Sequence, residues 1–130
     1  MAQNNPAHDL NNFGFGFYKQ ISNSEKNLFY SPYSISLALA MTYEGAENET
    51  ADQMQRVLHF PESKKELRRQ LADEMREITH SPDEKNYIFR AANGIWASEK
   101  VEFKQAFIDK VKEYYRAPFE TVDFYDDKMR

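Results

Sequence analysis

The chain has 130 residues, 41% of them hydrophobic and 15% aromatic, so it is long enough to bury a core as a single domain and is unlike a disordered segment. Its net charge of −4 does not supply the basic surface that nucleic acids require, and no nucleic-acid partner is expected. The absence of cysteine excludes a disulfide framework, a thiol nucleophile and a cysteine metal site, and it suits a reducing compartment.

Targeting signals are also absent from the sequence. The first nine residues contain neither the basic nor the apolar segment that directs export, and no apolar run approaches the roughly 18 residues of a membrane span. No membrane partner is therefore expected. The cytoplasm is the favoured location, and a secreted protein whose leader has been removed stays open as the alternative.

Apolar residues at helical spacing predict a first helix over residues 9–21. Its stripe consists of Leu10, Phe13, Phe17 and Ile21. Gly14 and Gly16 each lower the helix propensity by about 1 kcal/mol, so tertiary packing must stabilise this helix. A short apolar strand is predicted next, over residues 27–30.

Ser31 and Pro32 mark the start of a second helix, which extends to about residue 44. Proline suits the first helical position, and the Ser31 hydroxyl can accept a hydrogen bond from the backbone N–H near Ser34. The helix is apolar on almost every side, which is typical of a buried helix.

Two further helices are predicted before residue 81. Asn48 is expected to cap a third helix over residues 48–58, and a capping box formed by Ser63 and Glu66 begins the fourth. The apolar face of the fourth helix contains Leu67, Leu71, Met75 and Ile78.

The last third of the chain changes in character. Residues 87–97 are apolar at both alternating sets of positions, which predicts a strand covered on two faces, and Trp96 is interpreted as a core or sheet-covering residue. A fifth helix over residues 104–115 and a strand over residues 119–124 follow. About five helices with three strands in this order are typical of an α+β fold.

Two motifs around the second helix occur in a fixed order. They are Asn27-x-x-x-Ser31-Pro32-x-Ser34-Ile35 and Gly45-Ala46-x-x-x-Thr50-x-x-Gln53-Met54. Further along the chain stand Ala92-Asn93-Gly94-Ile95-Trp96, Tyr114-Tyr115 and Val122-Asp123-Phe124. This ordered set covers nearly the whole chain and resembles the N-terminal portion of the serpin family of serine protease inhibitors.

The resemblance implies a fold and a function. Residues 1–130 would form a partial serpin domain, the N-terminal third, with no second domain, in which the three strands belong to an incomplete sheet. The complete protein would inhibit a serine or cysteine protease by inserting its reactive loop into the main sheet. Because the loop and the central strands of the family are expected outside these residues, this chain alone should not inhibit.

Two explanations stay open for the length: a stretch of a larger serpin, or the product of a short reading frame. Under both explanations the apolar strands lack their usual neighbouring strands, and unpaired strand edges are templates for pairing with another chain. Besides the target protease of the complete protein, we therefore expect either a homo-oligomer or a complex with the missing C-terminal serpin portion. The alternative function is a non-inhibitory module that self-assembles or binds partners through exposed strand edges.

The resemblance places Ser31 and Ser34 in the shutter, the region behind the central strands that part to admit the reactive loop. A helix N-cap also explains both serines, and the two interpretations are compatible.

Lys65, Arg69 and Arg76 lie within about 40° of one another around the fourth helix and form a candidate polyanion-binding face. In some serpins this helix binds sulfated polysaccharides. The alternative is a solvated face with ion pairs between neighbouring turns, because Glu66 and Asp73 lie along its edge.

No enzymatic activity, cofactor or metal is expected. Ser31, Asp52 and His59 lack the sequence context of a nucleophile elbow, and the histidines lack metal-ligand spacing. Residues 48–50 match a glycosylation sequon, for which a helix cap is the alternative explanation.

Overall fold

A computed structural model of the chain describes residues 6–22, 27–79 and 91–125. The elements are α1 (Pro6–Ile21), α2 (Pro32–Tyr43), α3 (Asn48–Leu58), α4 (Lys64–Thr79), β1 (Ile95–Ser98), α5 (Gln105–Tyr115) and β2 (Phe119–Val122). This order confirms the predicted α+β class. None of the described helices is both long and apolar enough to cross a membrane.

The chain forms two compact units, Met1–Arg90 and Ala91–Arg130. The first contains α1 to α4, and the second contains the two strands and α5. This division does not test the prediction of one partial domain, which stays a prediction.

The first unit packs four helices around an apolar core. Its buried apolar side chains are Phe13, Tyr33, Leu37, Ala40, Met41, Tyr43, Leu58, Phe60, Leu67 and Leu71. The predicted stripes of α1 and α4 supply Phe13, Leu67 and Leu71 to this core, since residues three or four apart share one face of a helix.

The start of α2 lies close against α1 at Gly14. A Cβ atom there would lie 3.1 Å from Cβ and Cγ of Pro32, and the Tyr30 hydroxyl donates to the Gly14 carbonyl at 3.2 Å. At Gly16 nothing lies within 4 Å of the same position. The packing of α2 therefore requires glycine at position 14 but not at position 16.

Burial of α2 differs from the prediction that it is covered on almost every side. Its buried residues are Tyr33, Ser36, Leu37, Ala40, Met41 and Tyr43. Ser34, Ala38 and Thr42, on another side of the helix, are exposed. The prediction is wrong for the described residues because their packing covers one side of α2.

Residues 27–30 do not form the predicted strand. Phe29 is fully exposed, and the two strands that the structure describes are β1 and β2 rather than three. A strand requires a hydrogen-bonded neighbour, and no described segment pairs with residues 27–30.

The caps of α3 and α4 correct the sequence analysis in part. Glu47, not Asn48, is the N-cap of α3, and it makes no side-chain capping bond. Asn48 instead has a φ of 54°, in the left-handed region that asparagine tolerates. Before α4, the Ser63 hydroxyl accepts from the Glu66 N–H at 3.4 Å, as one half of the predicted capping box requires.

The second unit is a β–α–β arrangement. β1 and β2 are parallel, with Ile95 opposite Phe119 and Ser98 opposite Val122, as a helical crossover between them allows. The Phe119 ring lies 5.2 Å from the ring of Phe103, and Val111 of α5 has no exposed surface.

Two strand predictions for this unit require correction. β1 covers residues 95–98 rather than 87–97, of which residues 87–90 lie outside the described part of the chain. Trp96 is 58% exposed, so its interpretation as a core residue is wrong, whereas its interpretation as a sheet-covering residue stays a prediction. Its indole lies over Gly94, where a Cβ would come within 2.8 Å of the ring, and the structure describes no further layer above it.

Candidate functional site

The N-terminus of α2 contains the two serines that the sequence analysis selected. Ser31 is the N-cap, in an extended conformation, and its hydroxyl accepts from the Ser34 N–H at 3.2 Å. The Ser34 hydroxyl donates to the same oxygen at 3.1 Å. The capping role is therefore present, both serines are exposed, and the shutter role stays a prediction.

The three basic residues of the candidate polyanion-binding face are all exposed on α4, but two of them are ion-paired. Arg69 donates to both oxygens of Glu66, at 3.1 and 2.6 Å, and Arg76 donates to Asp73 at 3.0 Å. Hydrogen bonding from Arg69 lowers the pKa of the Glu66 carboxyl. This geometry favours the solvated face of ion pairs, and polyanion binding by Lys65, Arg69 and Arg76 stays a prediction.

A further group of contacts, which the sequence analysis did not predict, joins α4 to the C-terminal end of α2. Arg68 donates to both carboxylate oxygens of Glu44, at 2.8 and 2.7 Å. The Glu44 side chain has no exposed surface, and that of Arg68 is 17% exposed. A buried carboxylate of this kind requires its cation, because an unpaired charge in the interior is strongly unfavourable.

Lys64, one turn before Arg68, contacts the same region. Its Nζ donates to the Ala46 carbonyl at 2.7 Å and lies 4.7 Å from the centre of the Tyr43 ring. A cation at the C-terminal end of a helix also interacts favourably with the helix dipole. The one signal in the sequence was the spacing of Lys64 and Arg68, which places two cations on one side of α4.

The candidate residues for catalysis or metal binding do not come together in the described part of the chain. Ser31 precedes α2, whereas Asp52 and His59 belong to α3 and its C-terminal cap, and no described hydrogen bond joins any two of them. The described residues contain no group of three or more side chains that could hold a metal ion.

A small cavity lies among the helices of the first unit. It has a volume of about 30 Å³, and its lining includes Ser36, Leu58, Leu67 and Gln70. A space of this size accommodates about one water molecule and is far smaller than a site for an organic ligand.

The outer edges of the two-stranded sheet carry backbone N–H groups for which the described residues supply no partner. The Ile95 N–H donates to the Pro118 carbonyl at 2.9 Å, and the Glu99 N–H donates to the Val122 carbonyl at 3.1 Å. Because successive residues of a strand point in alternate directions, the N–H groups of Trp96 and Ser98 face away from β2. We call this side of Ile95–Ser98 the β1 edge.

Comparison with known proteins gives matches over almost the whole chain. An uncharacterized serpin-like protein of Thermococcus kodakarensis is 36% identical over 115 residues, which are 88% of this chain and 27% of that protein. The leukocyte elastase inhibitor of Xenopus laevis is 37% identical over 114 residues, or 86% of this chain and 30% of the inhibitor. The chain thus spans less than a third of the length of these relatives.

Solved structures give the same result. Emu ovalbumin is similar with a TM-score of 0.80 and 28% identity, over 95% of this chain and 35% of the ovalbumin chain. The structure of cleaved Serpin 42Da is similar with a TM-score of 0.79 and 25% identity, over 93% of this chain and 32% of the Serpin 42Da chain. The sequence model described as "Serpin (serine protease inhibitor)" matches residues 8–130. Since that match covers far more than half of the chain, the chain belongs to the serpin family.

Proposed function

We propose that residues 1–130 are the N-terminal portion of a serpin whose complete form inhibits a serine or cysteine protease by inserting its reactive loop into the main sheet. The observation that carries this proposal is the family match over residues 8–130, with elastase inhibitors among the relatives. In this proposal the reactive loop and the strands that receive it lie outside these residues. The portion alone then neither inhibits a protease nor catalyses a reaction.

The exposed side of α2 supports a position against the main sheet. Its side chains Ser34, Ala38 and Thr42 are small, and the two hydroxyl groups already have partners. Ser34 donates to the Ser31 hydroxyl, and Thr42 donates to the Ala38 carbonyl at 3.3 Å. A sheet could therefore lie on this surface without burying an unpaired hydroxyl group, which is what the proposed shutter role of Ser31 and Ser34 requires.

Complementation tests this proposal directly. The chain is mixed with a C-terminal portion of a serpin relative, such as the Thermococcus protein, and then with a panel of serine and cysteine proteases. We expect a protease complex that survives SDS only when both portions are present, and each portion alone is the control. If the two portions associate but trap no protease in the panel, the inhibitory function is contradicted.

The intact mass of the native gene product tests the length separately. A product heavier than the 15.4 kDa of this chain supports a longer serpin. A native product of this mass would favour the short reading frame and would contradict the proposal that this chain is one portion of an inhibitor.

The exposed β1 edge supports a second function, that of a non-inhibitory module which self-assembles or binds partners through strand edges. The outward N–H groups of Trp96 and Ser98 have no partner among the described residues, and such groups are templates for strand addition. Light scattering at micromolar concentration tests this function, because a clean monomer without any partner would contradict it.

A further inference from the structure

We propose that Asn93 is a site of spontaneous covalent modification, at which the side-chain amide is lost and an isoaspartyl residue forms directly before β1. The reaction consumes water and needs no enzyme. The inference depends on neither of the proposed functions, because the reacting groups belong to two adjacent residues of this chain, Asn93 and Gly94.

Asn93 differs from the other asparagines in the residue that follows it. It is the only asparagine of the sequence that precedes a glycine. The amide carbon of an asparagine is attacked by the backbone nitrogen of the next residue, and a side chain on that residue hinders the approach. Glycine has no Cβ and adopts the widest range of backbone conformations, so it permits this attack most readily. Asparagine is accordingly one of the thermolabile residue types, and Asn93 is the one most exposed to this chemistry.

The fold leaves both reacting groups free in the described part of the chain. Residues 91–94 lie outside every helix and strand, and Asn93 is partly exposed. No described hydrogen bond holds the Asn93 side chain or the Gly94 N–H. The ladder begins one residue later, where the Ile95 N–H donates to the Pro118 carbonyl at 2.9 Å. Regular hydrogen bonding therefore does not restrain the two groups from meeting.

The packing of Trp96 explains why glycine stands at position 94. A Cβ atom there would lie 2.8 Å from Cη2 and 3.0 Å from Cζ3 of the Trp96 ring. The backbone conformation is not the reason, since no described glycine has a positive φ. The position of the indole thus requires the very residue that makes Asn93 reactive.

The reaction proceeds in two steps that balance without an oxidant or a reductant. The Gly94 nitrogen forms a bond to Cγ of Asn93, the bond from Cγ to Nδ2 breaks, and ammonia leaves with the proton of the Gly94 N–H. Water then opens the cyclic imide. Cleavage at Cγ gives aspartate, whereas cleavage at the main-chain carbonyl gives isoaspartate, in which the backbone continues through Cβ and Cγ.

An isoaspartyl residue at position 93 alters the start of the parallel pair of strands. It adds one methylene to the main chain immediately before β1, and it adds a negative charge. Ile95 is opposite Phe119, and this register depends on a regular backbone repeat on both strands. We therefore expect the hydrogen bond from the Ile95 N–H to the Pro118 carbonyl to be lost.

Ageing of the whole chain at mildly alkaline pH tests the modification. Trypsin releases residues 91–100, a peptide that contains no asparagine besides Asn93. By mass spectrometry, we expect Asn93 to be converted about tenfold faster than Asn48, which is exposed but precedes a glutamate. Labelling by isoaspartyl methyltransferase identifies the product. Equal rates at the two asparagines would overturn the proposal.

Two variants and an unfolded control separate the chemistry from the fold. Asn93→Gln retains an amide but must close a larger ring, and Gly94→Ala/Trp96→Leu adds a Cβ while removing the ring that it would meet. In both variants we expect the conversion at residue 93 to be about tenfold slower or less. Circular dichroism checks that the helices are retained. Fast conversion of wild type in urea only, with slow conversion of the native chain, would show that the fold protects Asn93 and would overturn the proposal.

Hydrogen exchange tests the consequence for β1. We expect the aged chain to lose protection at the Ile95 amide. Asn93→Asp adds the same charge without the additional backbone methylene, and it should retain the protection. Equal protection in fresh and aged chains would overturn the effect on the strand pair while leaving the modification itself. Failure of any of these tests leaves both proposed functions unaffected.

Discussion

Arg68 of α4 and Glu44 at the end of α2 form a two-pronged ion pair in which the carboxylate has no contact with solvent. The pair joins two helices whose residues are 24 positions apart in the chain. The adjacent Arg69 forms an ion pair of similar length with Glu66, but in this pair the side chains of both residues are exposed. The two pairs therefore allow a direct comparison of buried and exposed charge.

Arg68→Met is expected to lower the free energy of unfolding by about 3 kcal/mol or more, because it leaves the Glu44 carboxylate buried without its cation. Arg69→Met, the matched control, is expected to leave the free energy of unfolding close to the wild-type value, because an exposed ion pair contributes little to stability. Urea denaturation measures both. The double variant Glu44→Met/Arg68→Met should be more stable than Arg68→Met alone, and equal stability would show that the buried charge is not the cause.

Ser31→Ala is expected to lower the free energy of unfolding by about 1 kcal/mol, since the Ser34 N–H loses its acceptor at the start of α2. Ser31→Asp retains a capping oxygen and should be close to wild type in thermal unfolding. An Ala variant as stable as the Asp variant would show that the cap contributes nothing to this helix.

Gly16→Ala is expected to stabilise the chain by up to about 1 kcal/mol, because glycine disfavours the interior of a helix and the space around Gly16 is open. Gly14→Ala is the comparison, since its Cβ would lie 3.1 Å from Pro32 and would push α2 away from α1. Thermal unfolding should rank Gly16→Ala above wild type and Gly14→Ala at or below it. The reverse order would contradict the close approach of the two helices.

Stability is expected to decrease at alkaline pH through Tyr33. Burial, with a smaller contribution from Glu74, raises the pKa of Tyr33 to about 12. Because this folded-state pKa is above the unfolded value of about 10, the stabilisation is complete below pH 10 and is lost as the pH rises from 10 toward 12. Burial also raises the pKa of Tyr43, so part of the loss comes from that residue.

The variant Tyr33→Phe separates these contributions. Its free energy of unfolding should fall less than that of wild type between about pH 9 and about pH 11. Tyr18→Phe, which changes a half-exposed ring, is the control and should follow wild type. Parallel curves for wild type and Tyr33→Phe would exclude Tyr33 as the titrating group.

Heparin chromatography tests the face formed by Lys65, Arg69 and Arg76. Because Arg69 and Arg76 are paired with acidic neighbours, we expect weak retention that the variant Arg69→Gln/Arg76→Gln hardly reduces. Removing the acidic partners in Glu66→Gln/Asp73→Asn should increase the retention and its dependence on salt. Strong retention of wild type that is lost in the arginine variant would instead establish a polyanion site.

Helix positions could be predicted from local signals. Ser31 and Pro32 located the start of α2, and the stripe from Leu10 to Ile21 located α1, because capping and helical periodicity act within a few residues. The family was recognised for a related reason: its motifs around α2 and β1 are short and occur in a fixed order. Of the candidate site, the Ser31 cap was predictable in the same way.

Burial and pairing were decided by neighbours that are remote in the chain. Residues 27–30 have strand-forming composition, but no strand lies beside them in the described part of the chain, and Trp96 is apolar yet exposed. Arg68 and Arg69 are the same residue type in adjacent positions of one helix. Adjacent residues of a helix point about 100° apart, so Arg68 faces Glu44 whereas Arg69 faces solvent. The packing of α2 against α4 decided which of the two arginines would meet the buried carboxylate.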